Sequence, residues 1–162
     1  MAQIRRTTPY VTALDEDTGV ATTPGADGYV ALVATDDYLF ALGVADQPLE
    51  SVHIQTDAAI AGTFTIETSN LARNDDAVAV PPADTVTDWI DTEVGAWVKE
   101  DPSTAYVATV GTGWSVTNLT LTKTAGTGGA MIHLGNLGAR RVRLKAAITT
   151  SGSVRIAVHG KS

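Results

Sequence analysis

Cysteine is absent from this 162-residue chain, which removes disulfides, thiolate metal sites and cysteine nucleophiles together. Aromatic residues make up only 6% of it and charged residues only 18%. Long apolar runs are also missing. The most apolar windows, Tyr29 to Ala34 and Tyr38 to Ala45, are separated by Asp36 and Asp37, and neither approaches the roughly 18 residues that a membrane-spanning helix needs. No apolar stretch follows Arg5 and Arg6 to make the core of a secretory signal. These absences lead us to expect a soluble protein made in a reducing cytoplasm, with no membrane partner. Acids are missing from one part of the chain altogether: the first 101 residues hold all 18 Asp and Glu and 4 of the 11 Lys and Arg, whereas the remainder holds 7 bases and no acid.

What is present is Thr, Ala and Val, at 24, 24 and 17 residues, with little of the Leu, Glu and Lys that fill helices. This composition reads all-β. Residues 1–28 mix Thr, Pro and Gly with the acidic run Asp15, Glu16, Asp17 and follow no period, so they read as an extended N-terminal arm ahead of a domain over 29–162. Tyr29 to Val33 and Tyr38 to Val44 suit short buried strands. In Ser51 to Thr56 the pair Val52 and Ile54 points inward, and in Thr63 to Thr68 the pair Phe64 and Ile66. Residues 70–88, with Pro81 and Pro82, form a long connection of the kind that serves function or is ordered by a partner. Tyr106 to Val110 and Met131 to Leu134 read as strands. Trp114 to Thr122 reads as one long strand that needs a bulge near Asn118 to keep Trp114, Val116, Leu119 and Leu121 on one face.

The last forty residues alternate most clearly. Val142, Leu144, Ala146 and Ile148 oppose Arg141, Arg143, Lys145 and Ala147, and Val154, Ile156 and Val158 oppose Arg155, Ala157 and His159. A Thr149 to Gly152 turn would join the two as a hairpin, with Ile148 facing Val154. About eight to ten short strands with regular turn signals give a single jelly-roll-like β-sandwich, with an immunoglobulin-like sandwich as the competing arrangement.

That hairpin register would place Arg143 opposite His159 and Arg141 opposite Lys161, with Lys145 and Arg155 diagonal to them, a like-charge strip that requires a counter-charge. Salt and water, acids of the same chain, or another molecule could supply it. Nucleic acid is disfavoured by the net charge of -7 and by the lack of interleaved aromatics. If a partner supplies it, reversing the charge of Arg143 and Lys145 should weaken assembly more than monomer stability, and copies could pair acid to base in a symmetric oligomer.

No catalytic motif is present, and the chain does not read as an enzyme. His53, His133 and His159 lack the local spacing of a metal pair. Asp15 to Gly19 lacks the later ligands of a calcium loop. Asp84, Asp88, Asp91 and Glu93 have the density of a solvated loop, and Gly126, Gly128 and Gly129 precede neither a helix nor a Lys-Ser/Thr pair. We expect no metal and no cofactor. Trp89, Trp97 and Trp114 fall close together in sequence; exposed, they would make a stacking platform for sugars, and buried, part of a core.

Several segments resemble those of small tailed-bacteriophage virion proteins with β-sandwich folds. They are Ser51-Val-His-Ile-Gln-Thr, Gly62-Thr-Phe-Thr-Ile-Glu, Gly95-Ala-Trp-Val-Lys-Glu-Asp-Pro-Ser-Thr-Ala-Tyr-Val, His133-Leu-Gly-Asn-Leu-Gly-Ala-Arg-Arg-Val-Arg-Leu-Lys and Val154-Arg-Ile-Ala-Val-His-Gly-Lys. The resemblance covers most of residues 51–162 and none of 1–50. It implies a capsid decoration (cement) protein or a related head or tail component, made in the host cytoplasm and residing in the virion. Such a protein typically sits as a homotrimer on the major capsid protein. Interface contacts would then fall to Arg5, Arg6, Arg141, Arg143, Lys145 and Arg155. The alternative is a carbohydrate-binding module or a tail or receptor-binding domain that uses Trp89, Trp97 and Trp114.

Overall fold

The computed structural model describes residues 10–44, 49–69, 97–100, 106–117, 120–124, 126–134 and 141–160. The fold is all-β, with no helix among these residues. In chain order the strands are β1 (Ala13–Asp15), β2 (Ala21–Thr22), β3 (Val30–Leu32), β4 (Asp37–Val44), β5 (Leu49–Thr56), β6 (Ala61–Ser69), β7 (Val98–Lys99), β8 (Tyr106–Val110), β9 (Trp114–Thr117), β10 (Thr120–Lys123), β11 (Ala130–Leu134), β12 (Arg141–Thr150) and β13 (Gly152–Gly160). They form two antiparallel sheets. One has eight strands in the order β2-β1-β4-β12-β6-β10-β9, with β7 also on β6; the other has five, in the order β3-β13-β5-β11-β8.

A single apolar cluster joins the inner faces of both sheets, the arrangement of a β-sandwich. Phe40, Phe64, Ile66 and Leu144 come from the larger sheet and Val52, Ile54, Ile132 and Ile156 from the smaller, all essentially inaccessible to water. The period-2 alternation therefore assigns inward and outward positions correctly on β5, β6, β12 and β13.

The pairing of the last two strands differs from the sequence expectation. β12 and β13 are not a hairpin. β12 lies between β4 and β6, with Leu144 partnered by Phe40 and Ile66, whereas β13 lies in the other sheet between β3 and β5, with Ile156 partnered by Ile54. The chain crosses between sheets at Ser151, whose hydroxyl accepts a hydrogen bond from the Ala34 amide. The two apolar rows meet across the core instead of side by side. Either arrangement buries the same alternating residues, so alternation alone does not choose between them. The crossing is tight: a Cβ at Gly152 would lie 2.6 Å from both the amide nitrogen and the Cβ of Ile60.

Two further differences concern single elements. Trp114 to Thr122 is not one continuous strand: β9 and β10 pair antiparallel, with Thr117 partnered by Thr120, and Leu121 is buried while Val116 is exposed; the expected bulge near Asn118 lies outside the described residues. Residues 10–28 do not stand apart as an arm. β1 and β2 extend the larger sheet from β4, Ala13 and Val11 belong to the main core, and the Val11 amide donates to the Ile156 carbonyl. Gly28, at φ +84°, lets the Tyr10 ring pack onto the backbone where a Cβ would come within 2.3 Å of it. Residues 1–9 and the expected connection over 70–88 lie outside the described residues.

Candidate functional site

The bases of β12 face away from the core on the larger sheet, and acids of the same chain meet them. The register sets Arg143 beside Ala41 on one side and Glu67 on the other. Arg143 Nε and Nη2 each lie 2.7 Å from Glu67 Oε2, and both residues are buried. The Trp97 ring, just ahead of β7, lies over this strip, 4.1 Å from the Arg143 guanidinium and 5.3 Å from that of Arg141. Trp97 also packs on Leu14 and Leu39, which form a small apolar cluster separate from the core. Burial pulls the Arg143 pKa downward, against the opposing charge of Glu67 and its hydrogen bond.

Lys145, one outward position along β12, reaches Glu16 Oε2 at 2.7 Å and Asp37 Oδ2 at 3.4 Å. Desolvation lowers its pKa, but the hydrogen bonds and charges of Glu16 and Asp37 outweigh that and leave it raised. Glu16 is brought there by the turn after β1, where its amide donates to the Asp37 carbonyl. In the same turn Asp15 Oδ1 accepts from the Thr18 amide at 2.7 Å and the Thr18 hydroxyl at 2.8 Å, which holds its carboxyl below the ordinary value.

Arg155 stands on the other sheet, on the outer face of β13. Its Nε donates to Gln55 Oε1 at 2.6 Å, Nη2 to the same oxygen and Nη1 to the Asp27 carbonyl at 3.1 Å. Its guanidinium lies 4.9 Å from the Tyr29 ring and 5.3 Å from that of Tyr10. The expected like-charge strip is therefore not formed. Arg141, Arg143 and Lys145 belong to one sheet and Arg155 to the other, and the counter-charges of Arg143 and Lys145 are Glu67, Glu16 and Asp37. Arg5 and Arg6 lie outside the described residues.

The two described tryptophans do not make one platform. Trp114 is buried in the main core, 5.2 Å from the Phe64 ring, and its Nε1 donates to the Gly128 carbonyl at 2.5 Å. Trp97 lies across the same sheet, on its outer side. Trp89, like Asp84, Asp88, Asp91 and Glu93, lies outside the described residues. The glycine-rich turn is fastened from below: the Thr56 hydroxyl also donates to Gly128 O, and Lys123 Nζ donates to Gly126 O at 2.5 Å. Lys123 is almost wholly buried, and desolvation lowers its pKa against the attraction of Asp57. Its inward position was legible from its parity with Leu121 on β10. The acids that meet β12 were not, because they follow from strand partners far away in sequence.

Among the described residues no three His, Asp or Glu converge as a metal site. No family model matches the chain, and no curated protein or solved structure matches it.

Proposed function

We propose that this chain is a non-enzymatic structural protein of a bacteriophage virion, a capsid decoration protein that binds the major capsid protein and stabilises the head as a homo-oligomer, with a trimer favoured. We further infer that its sandwich is a jelly roll. The observation that carries the reading is the strand order. Taking β3, β4, β5, β6, β10, β11, β12 and β13 as eight successive strands, the first pairs with the eighth, the second with the seventh, the third with the sixth and the fourth with the fifth. That is a long double hairpin rolled into two sheets, a layout common to viral capsid and lectin domains.

Between those two classes, the tryptophans favour the capsid. A sugar platform requires exposed rings side by side, whereas Trp114 is core and Trp97 covers the Arg143–Glu67 pair. Contacts to neighbouring subunits are assigned to the N-terminal segment with Arg5 and Arg6. The test is co-sedimentation of the purified chain with capsids that lack it, followed by heating. The expected result is saturable, stoichiometric binding and a raised temperature of head disruption. Absence of binding, or tryptophan emission that responds to soluble oligosaccharides, would overturn the reading.

A further inference from the structure

The larger sheet is open at both ends. β2 and β9 are its terminal strands, and neither has a strand partner on its far side among the described residues. An edge strand presents a row of unpaired N–H and C=O groups, which proteins ordinarily blunt with charge, proline or a bulge. β9 carries neither charge nor proline, and its pairing with β10 is regular. It lies within residues 103–122, a stretch without Asp, Glu, Lys, Arg or His, and Ser115, Val116 and Thr117 are all exposed. β2 lies within a second uncharged stretch, residues 18–26, where Pro24 follows closely on the exposed Ala21 and Thr22 and keeps the strand short.

Each edge also carries an exposed valine with the parity of the core-facing side. Val116 is partnered by the core residue Leu121, yet at the rim of the sheet it is 39% exposed. Val20 has the parity of Thr22, the partner of the core residue Ala13, and is 63% exposed. Setting β9 against β2 of another copy makes the two valines neighbours on one inner face and continues the core across the contact. A two-fold contact of β9 with itself would leave Val20 in water. Charge favours the same choice. Each copy carries a net charge of -7, so copies repel, and at these two edges they can meet with no charged residue on either paired strand.

We propose that the β9 edge of one copy pairs with the β2 edge of the next, joining their larger sheets into a closed ring. Every pairing along this sheet is antiparallel, so β2 and β9 run in the same direction, and a ring about an axis along the strands pairs them in parallel. The contact is heterologous: each copy gives one edge and receives the other, which a trimer satisfies. The inference rests on the homo-oligomer of the preceding reading and not on its capsid. Rings that ignore capsids leave it standing, and a monomer that binds and stabilises capsids removes it while leaving capsid binding intact.

The experiment is sedimentation equilibrium of the full chain at pH 7.5 over a range of concentrations. The expected mass is three times that of the 16.8 kDa chain, and high salt should not lower it because the paired strands carry no charge. Val116→Lys and Val20→Lys each put a charge on one edge, as natural edge strands do. Each variant alone should fall to the monomer mass and unfold in urea at the midpoint of the dilute wild-type chain. Mixed, the two should form one-to-one pairs and nothing larger, since each keeps the edge that the other lacks. A wild-type chain that stays monomeric at every concentration would overturn the proposal. So would an oligomer that keeps its mass in either variant; mass kept by Val20→Lys and lost by Val116→Lys is the mark of a two-fold β9 contact instead.

Discussion

Asp15 and Lys145 sit at two ends of one small polar network, and their pKa shifts point in opposite directions. The folded-state pKa of Asp15 is lowered by Thr18, so its contribution to stability is present above its ordinary value of 3.8 and is lost as pH falls. That of Lys145 is raised, so its contribution is present below about pH 10 and is lost as pH climbs through the folded value. Urea midpoints measured from pH 6 down to pH 3 should fall less steeply in Asp15→Asn than in the wild type; parallel curves would contradict the turn geometry. Trp97 offers a second test at this scale. Its ring covers two guanidiniums, and Trp97→Ala removes both cation–π contacts and lets water reach the Arg143–Glu67 pair, at an expected cost of about 1–3 kcal/mol. Equilibrium unfolding measures it, and a change below about 0.5 kcal/mol would place Trp97 outside the folded unit.

At the scale of elements, the link between β12 and β13 is the most constrained point of the chain. Gly152→Val would drive a branched side chain into Ile60 and should cost about 1–3 kcal/mol or more, read from urea denaturation; an unchanged midpoint would mean that the chain does not cross between sheets there. The same link marks the boundary of what alternation reveals. The inward identity of Val142, Leu144, Val154 and Ile156 was legible because a strand with one buried face must alternate. Their partners were not, because two facing strands and two adjacent strands bury the same residues. β1 was missed because a three-residue strand has no period to detect, and the pairing of β9 with β10 because two four-residue strands in succession alternate much as one longer strand does. Arg143 and Lys145 were recognised as residues in need of counter-charge, but Glu67 came from the β6 register and Glu16 from a turn more than a hundred residues upstream.

For the whole molecule, the segregation of acids and bases along the chain becomes a spatial arrangement. Folding threads the basic β12 between β4 and β6 and places acids from the first half of the chain on either side of it. Much of the basic character of β12 is met within the chain, Arg143 by Glu67 and Lys145 by Glu16 and Asp37. This changes the outcome expected of charge reversal on β12. Arg143→Glu would set a second carboxylate against buried Glu67, and Lys145→Glu a third against Glu16 and Asp37. The decisive measurement is the urea unfolding free energy of the Arg143→Glu, Lys145→Glu chain as a monomer at pH 7.5. A loss of more than about 3 kcal/mol, or failure to fold, is the result that internal neutralisation predicts; wild-type monomer stability with weakened assembly would contradict it.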